Sequence, residues 1–230
     1  MKNSKIEHAF FSQRSEKTDE HVLVISGAIG QSSLFYDATS ADDVRLELQD
    51  VKAKTIRIKL NSGGGSTFEG LEIYNYLKDL DAHVIVEVTA LAASAASIIA
   101  MGADEVLMRT GSTMMIHNAS TFVYGNKEDM LKAQQTLEKI DASVIDVYQS
   151  RTGLSSDEIK EMLDNETWFT ASEAVEKGFA NSLEEKAKET SQVDSKLDLN
   201  QLEQMDNNKI NTKEVIDVES KSKHLKSLLF

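Results

Sequence analysis

The chain has no cysteine and no proline in 230 residues. Without cysteine there is no disulfide, no thiolate zinc site and no cysteine nucleophile. The missing proline has no physical explanation beyond a biased composition. Long apolar runs are missing as well: no window approaches the ~18 consecutive apolar residues of a membrane span. Basic charge is scarce, with 25 Lys and Arg against 38 Asp and Glu and a formal net charge of −13. That balance argues against nucleic-acid binding, which calls for a basic surface. The first residues, Met1-Lys2-Asn3-Ser4-Lys5, lead into no apolar secretory core, so a cytoplasmic location is expected.

What remains is enough for a folded core. Hydrophobic residues make up 40% of the chain, and its length suits one domain with tails. Residues 1–20 are polar around an isolated Ala9-Phe10-Phe11 and are expected to be mobile. Residues 21–185 carry the periodic apolar pattern. Residues 186–230 are rich in Glu, Asp, Lys, Asn, Gln and Ser, read as a disordered acidic tail, and end in an apolar hook, Leu225 to Phe230.

Within the core, strands and helices alternate. His21 to Gly27 and Ile56 to Leu60 read as strands, and Ser66 to Leu80 as a helix opened by a Ser66-x-x-Glu69 capping box. The β-branched run Val84 to Val88 is a third strand. A small-residue helix follows, then short strands at Val106-Leu107-Met108 and Met114-Met115-Ile116. This order predicts an α/β fold built on a mostly parallel sheet.

Ser94 sits where the Val84 strand gives way to that helix. A hydroxyl at such a junction meets free backbone N–H groups and the positive end of a helix, which favour developing negative charge. With a histidine downstream it is a candidate serine nucleophile. Ser97 is the rival, but it lies a turn inside the helix, where its hydroxyl is expected to bond a backbone carbonyl. Of the five histidines, His8 and His224 lie in the tails, His21 opens a strand and His83 precedes one. Only His117 follows an apolar strand within the core. The orienting acid is sought downstream, with Asp164 and Glu166 as candidates. The glycine run Asn61-Ser62-Gly63-Gly64-Gly65-Ser66 contains no Gly-Lys-Ser/Thr, so it is no P-loop, and it lacks the Rossmann spacing. It reads either as a tight turn needing positive φ or as bare N–H groups for an oxyanion hole.

From Lys127 to Arg151 a single apolar seam appears: Met130, Ala133, Leu137, Ile140, Val144 and Val147, spaced by three and four. Such a helix either packs on its own core or projects to pair with another subunit. Two shorter helices follow, Ser156 to Leu163 and Ala171 to Lys177, the second capped by Thr170-x-x-Glu173 and closed by Gly178.

Four ordered motifs carry a resemblance. They are Asn61-Ser62-Gly63-Gly64-Gly65, Leu91-Ala92-Ala93-Ser94-Ala95-Ala96-Ser97, Met115-Ile116-His117-Asn118 and Glu166-Thr167-Trp168-Phe169-Thr170-Ala171-x-Glu173-Ala174. Over about residues 20–185 the chain resembles the Clp protease proteolytic subunit family, and most closely its phage-borne relatives that act as head maturation proteases. The resemblance implies a crotonase-like spiral of βαβ units with a projecting handle helix, forming ring-shaped homo-oligomers such as two stacked heptamers. It implies a Ser94–His117–Glu166 triad, oxyanion-hole N–H groups at Gly65 and Ala95, and no cofactor or metal. Protein or peptide substrates follow, with either capsid and scaffold proteins or a Clp ATPase as partners. In the phage case the location is the host cytoplasm.

Three positions depart from the family pattern. Gly63 replaces its usual proline, loosening the loop by ~0.5–1 kcal/mol of unfolded-state entropy. Ala90 replaces a glycine, and Glu166 replaces the family's aspartate, which leaves Asp164 open as the acid. The acidic tail has no counterpart. Besides a serine endopeptidase, the sequence admits an inactive assembly protein that keeps the protease fold, although intact Ser94, His117 and Gly65 speak against it. A crotonase-type acyl-CoA enzyme needs no such Ser–His pair, and fold alone does not decide function.

Overall fold

Alternating buried and exposed positions give the chain its strands, and small residues between them let three of those strands end together beside one helix. The computed structural model describes residues 11–15, 19–33 and 37–184. In chain order the elements are β1 (Phe11–Ser15), β2 (Glu20–Ile29), β3 (Ala38–Thr39), α1 (Ala41–Leu48), β4 (Thr55–Gly65), α2 (Thr67–Lys78), β5 (His83–Ala93) and α3 (Ala95–Met101). There follow β6 (Glu105–Arg109), β7 (Thr113–Ile116), α4 (Lys127–Thr152), α5 (Ser156–Asp164), β8 (Thr167–Thr170), α6 (Ala171–Glu176) and β9 (Ser182–Glu184).

The main sheet runs β1-β2-β4-β5-β6-β9, with β3 added to β2, β7 to β5, and β8 to β7. Apart from the antiparallel pairs β1–β2 and β7–β8, the ladders are parallel. β4 buries every second residue along its length, and β2 does so as far as Ile25. β5 is central and buries Val84 to Val88 without a break, as a strand covered on both faces must. Its partners change along its length: Ile85 to Val88 pair with β6, and Leu91 to Ala93 pair with β7. That exchange brings β7 alongside the end of β5.

Several expectations need correction. The boundary at residue 21 divides a paired hairpin, because Phe11 to Ser15 form β1 against Glu20 to Val24; an edge strand gains a ladder of backbone bonds that a polar sequence does not advertise. Residues 1–10, the tail from 185 onward and the apolar hook lie outside the described residues. The glycine run is no loop, since β4 continues through Gly65, which pairs with Ile29. The strand at Val84 likewise runs on to Ala93, so the small-residue helix is only α3. At Ser66 the expected reciprocal box is half formed. The Ser66 side chain caps Glu69 N–H, but the Glu69 carboxylate turns away to accept from Gln31 and from the Ala41 N–H at 2.7 Å. By contrast, Thr170 and Glu173 form the complete box expected of them.

Helix α4 divides in two. Val144, Ile145, Val147 and Tyr148 are buried, whereas no residue from 127 to 143 is. Among the described residues, nothing buries the N-terminal part of the seam, although Ile140 packs partly against the core. Among the described residues, no helix is long and apolar enough to cross a membrane.

One buried charge escaped the pattern altogether. Glu87 on β5 is 2% exposed, and its carboxylate accepts from Arg109 Nε at 2.6 Å and lies 3.5 Å from Arg57 Nη1. Removing one partner from such a cluster leaves uncompensated charge out of water, so the network must be complete to be tolerated. It lies inside the run that reads as an apolar strand.

Candidate active site

Register explains why the site assembles. Ser62 pairs with Ala92 across the parallel β4–β5 ladder, and Ala93 pairs with Met115 across the parallel β5–β7 ladder. The three strands point the same way, so their ends converge: the glycine run on one side, Ser94 in the middle, His117 on the other. A backbone bond from Ser94 N–H to the Met115 carbonyl, 2.9 Å, closes the junction. His117 Nε2 then lies 2.8 Å from Ser94 Oγ, a hydrogen-bonding distance suited to passing a proton.

Ser94 occupies a sharp turn. Its φ of 54° and ψ of −125° lie outside the ordinary regions, and its side chain makes no helix-capping bond. Such a conformation costs about 1–3 kcal/mol and persists only where the surroundings enforce it. Here it turns the hydroxyl away from the backbone of α3 and toward the imidazole. Gly64 is the reason the turn fits. A Cβ on Gly64 would come within 2.6 Å of the Ala93 carbonyl oxygen and 2.7 Å of Ser94 Cβ, and its φ is +92°. Gly65 is bound even more tightly, since a Cβ there would meet the Ile29 carbonyl oxygen at 2.1 Å. Gly63 has open space and no positive φ, so glycine is not required where the family has proline.

Gly65, Ser94 and His117 line one cavity of about 50 Å³ together with Thr67, Ile98 and Tyr148. Ala95, the other expected N–H donor, is the first residue of α3, where N–H groups have no acceptor within the helix. Ser97 is 0% exposed and its hydroxyl is bonded at 2.6 Å to the Ser94 carbonyl, so it presents nothing to a substrate.

The acid is less simply placed. Neither Asp164 nor Glu166 reaches His117. Asp164 accepts from Asn118 Nδ2 and from Lys160 Nζ, each at 2.8 Å. These bonds, that from Asn118 first, hold its carboxyl below its ordinary range. Among the described residues, Glu166 accepts from the Trp168 indole, at 3.2 Å. Two backbone facts favour Glu166 as the acid. The antiparallel β7–β8 ladder pairs Ile116 with Thr167, and one step further sets Glu166 opposite His117. Glu166 also has a φ of 46°, and Asp19, Ser94 and Glu166 are the described non-glycine residues with positive φ. Sequence reasoning missed Gly64 as the residue that presses on the turn, and Tyr148 as a wall of the cavity. Gly64 was hidden in a run of three glycines, and Tyr148 lies just off the seam read along its helix.

A serine paired to an imidazole at a strained strand-to-helix turn, with Gly65 lining the same cavity, is the arrangement of a serine hydrolase. The Clp protease family model matches residues 15–187, and the chain belongs to that family. It is 30% identical over 196 residues to ATP-dependent Clp protease proteolytic subunit 1 of Protochlamydia amoebophila, covering 80% of this chain and 94% of that one. Over 153 residues it is 29% identical to the ATP-dependent Clp protease proteolytic subunit of Bacteroides fragilis, covering 64% and 73%. Among solved structures, a mutant ClpP1 from Listeria monocytogenes superposes with a TM-score of 0.62 at 24% identity, covering 72% of this chain and 92% of that one. At that identity it speaks for the fold, which is that of the Clp proteolytic subunit.

Gly64→Ala provides a test of the turn. The added methyl meets the backbone of Ala93 and Ala95 and the Cβ of Ser94, so it must displace the turn. Peptide hydrolysis should fall by about 10²-fold, the scale of a 1 Å misplacement, while circular dichroism stays that of the wild type. Wild-type activity in Gly64→Ala would show that the contact does not hold the turn.

Proposed function

We propose that Ser94, His117 and Glu166 hydrolyse peptide bonds as a catalytic triad, and the observation that carries this is the 2.8 Å contact between His117 Nε2 and Ser94 Oγ. Ser94 Oγ attacks the scissile carbonyl carbon while His117 takes its proton. Oxygen gathers negative charge as the tetrahedral intermediate forms, and the N–H groups of Gly65 and Ala95 receive it. The intermediate collapses as His117 returns the proton to the leaving amine, leaving an acyl group on Ser94. Water, deprotonated by the same imidazole, then releases the acid product and restores the serine. No cofactor enters these steps.

Glu166 is the preferred acid on competition as well as register. To orient His117 it gives up one exposed bond to Trp168, whereas Asp164 must surrender two, one of them to a lysine. A glutamate serves this role in other Ser–His–acid sites. Next to the dyad a groove of about 430 Å³ runs from Gly65 past Thr67 and Phe68 to Ser120 and Thr121. An extended polypeptide with apolar side chains suits it.

The uncovered half of α4 supports assembly. Phe122 and Tyr124, at the approach to α4, are 92% and 93% exposed, and Met130 and Leu131 add to the same apolar stretch. Aromatic surface of this kind marks an interface. We assign it to a second copy of the chain, in a ring of the family's kind that encloses the active sites. Two biological roles fit one site. The motif resemblance favours cleavage of capsid or scaffold proteins during phage head maturation, with a host-cytoplasmic location. The relatives' names, ATP-dependent proteolytic subunits, favour degradation fed by a Clp ATPase. The roles separate on one requirement: a maturation protease cuts its folded partner without nucleotide, and an ATPase-fed subunit degrades folded protein only with the ATPase and ATP.

Ser94→Ala and His117→Ala should each lower hydrolysis of a short fluorogenic peptide by about 10⁴-fold or more with thermal melting unchanged. Glu166→Gln should reduce kcat well beyond Asp164→Asn; the opposite order moves the acid to Asp164.

Leu137→Glu tests assembly, because it places a charge in the seam where a partner would have to bury it. Size exclusion with light scattering should show a large wild-type particle and smaller, folded units for the variant. A monomeric wild type at micromolar concentration would refute the assignment of this face.

A further inference from the structure

The two buried hydroxyls behind the nucleophile have no part in the peptidase chemistry, yet they end on the nucleophile's own backbone. Tyr148 on α4 is 1% exposed and Ser97 on α3 is 0% exposed. Their hydroxyl oxygens are 2.8 Å apart. Ser97 Oγ donates its single proton to the Ser94 carbonyl at 2.6 Å, so the bond between the two hydroxyls has Tyr148 as its donor. The chain thus has one direction: Tyr148 O–H to Ser97 Oγ, and Ser97 O–H to the carbonyl of Ser94.

Where that carbonyl points is the ψ of Ser94. At −125° it belongs to no ordinary minimum for a serine. Its other acceptor bonds come from the N–H groups of Ser97 and Ile98, at 2.9 and 3.4 Å, and an unstrained helix end would offer these too. The added bond is the Ser97 hydroxyl, and Tyr148 polarises and orients it. The Tyr148 ring is itself fixed, edge-on to Phe179 with centroids 5.6 Å apart. Burial pushes its phenol well above the ordinary range, so it remains a donor wherever the protein is folded and active. A buried tyrosine hydroxyl usually finds some partner; this one finds the group that sets the strained turn.

Resting on Ser94 as the nucleophile, we propose that Ser97 and Tyr148 are positioning residues, a hydroxyl relay from α4 that holds the Ser94 turn in its reactive geometry. Neither touches substrate through its hydroxyl. The relay acts on the rate of attack and leaves substrate affinity alone.

The test is a double-mutant cycle on the full chain with a fluorogenic peptide, read as kcat and KM, with modification of Ser94 by a fluorophosphonate followed by mass spectrometry. Tyr148→Phe keeps the ring against Phe179 and removes only the donor. It should lower kcat on the order of tenfold, less than the ~10²-fold of a 1 Å misplacement, with KM and the acid limb of the pH profile unchanged. Ser97→Ala should do the same, and the double variant should be no slower than the slower single, because the two hydroxyls act as one unit. If Tyr148→Phe does not fold, Ser97→Ala carries the same kcat and KM criterion. Full kcat in both singles, or losses that multiply in the double, overturns the relay while a wild type modified at Ser94 leaves the peptidase reading standing. A wild type that is not modified at Ser94 overturns both.

Discussion

Three parallel strands that end level with one another place a glycine, a serine and a histidine side by side, and the contact between Gly64 and the Ser94 turn is the constraint on which this arrangement rests. A side chain of any size at position 64 would strike the Ala93 carbonyl and Ser94 itself. Without that close approach the serine would relax into the start of α3 and its hydroxyl would serve as an ordinary helix cap. The strain at Ser94, about 1–3 kcal/mol, is offset by the sheet around it: β4 and β7 both pair with the last residues of β5. The fold thus holds the nucleophile in a conformation that its local sequence does not favour.

How much of this could be read beforehand follows from the range of each interaction. Ser94 and His117 stood out because each sits at the end of an apolar strand, and the strand periodicity is local. Their meeting needed the parallel registers, which no single segment encodes. Glu87 was invisible for the same reason, since the arginines that make its burial tolerable come from β4 and β6. Glu69 resembled a capping residue because its spacing from Ser66 is right, yet Gln31 and the Ala41 N–H compete for it and win. Tyr148 lies in the helix that carries the apolar seam, one residue past Val147, but its hydroxyl partner is 51 residues away. The glycine run misled in the other direction, because three glycines suggest a loop and the ladder to β2 keeps them in a strand.

Helix α4 joins the two scales. Its last turns bury Val144, Ile145, Val147 and Tyr148 against the domain, and through Ser97 they reach the nucleophile. Its first turns leave Met130 and Leu131 exposed, as are Phe122 and Tyr124 before them. One regular element therefore backs the Ser94 turn at one end and carries the proposed assembly face at the other. Glu166, the proposed acid, follows a similar division: the β7–β8 register brings it level with His117, while its side chain rests on Trp168.

The reactive geometry is tested most directly by where a carbonyl-like oxygen goes when Ser94 is modified. A crystal structure of the protein after reaction with diisopropyl fluorophosphate answers this directly. The phosphorus should be bonded to Ser94 Oγ, with the phosphoryl oxygen within about 3 Å of the Gly65 and Ala95 N–H groups, as an oxyanion hole requires. An adduct on another serine, or a phosphoryl oxygen directed away from both N–H groups, would contradict it.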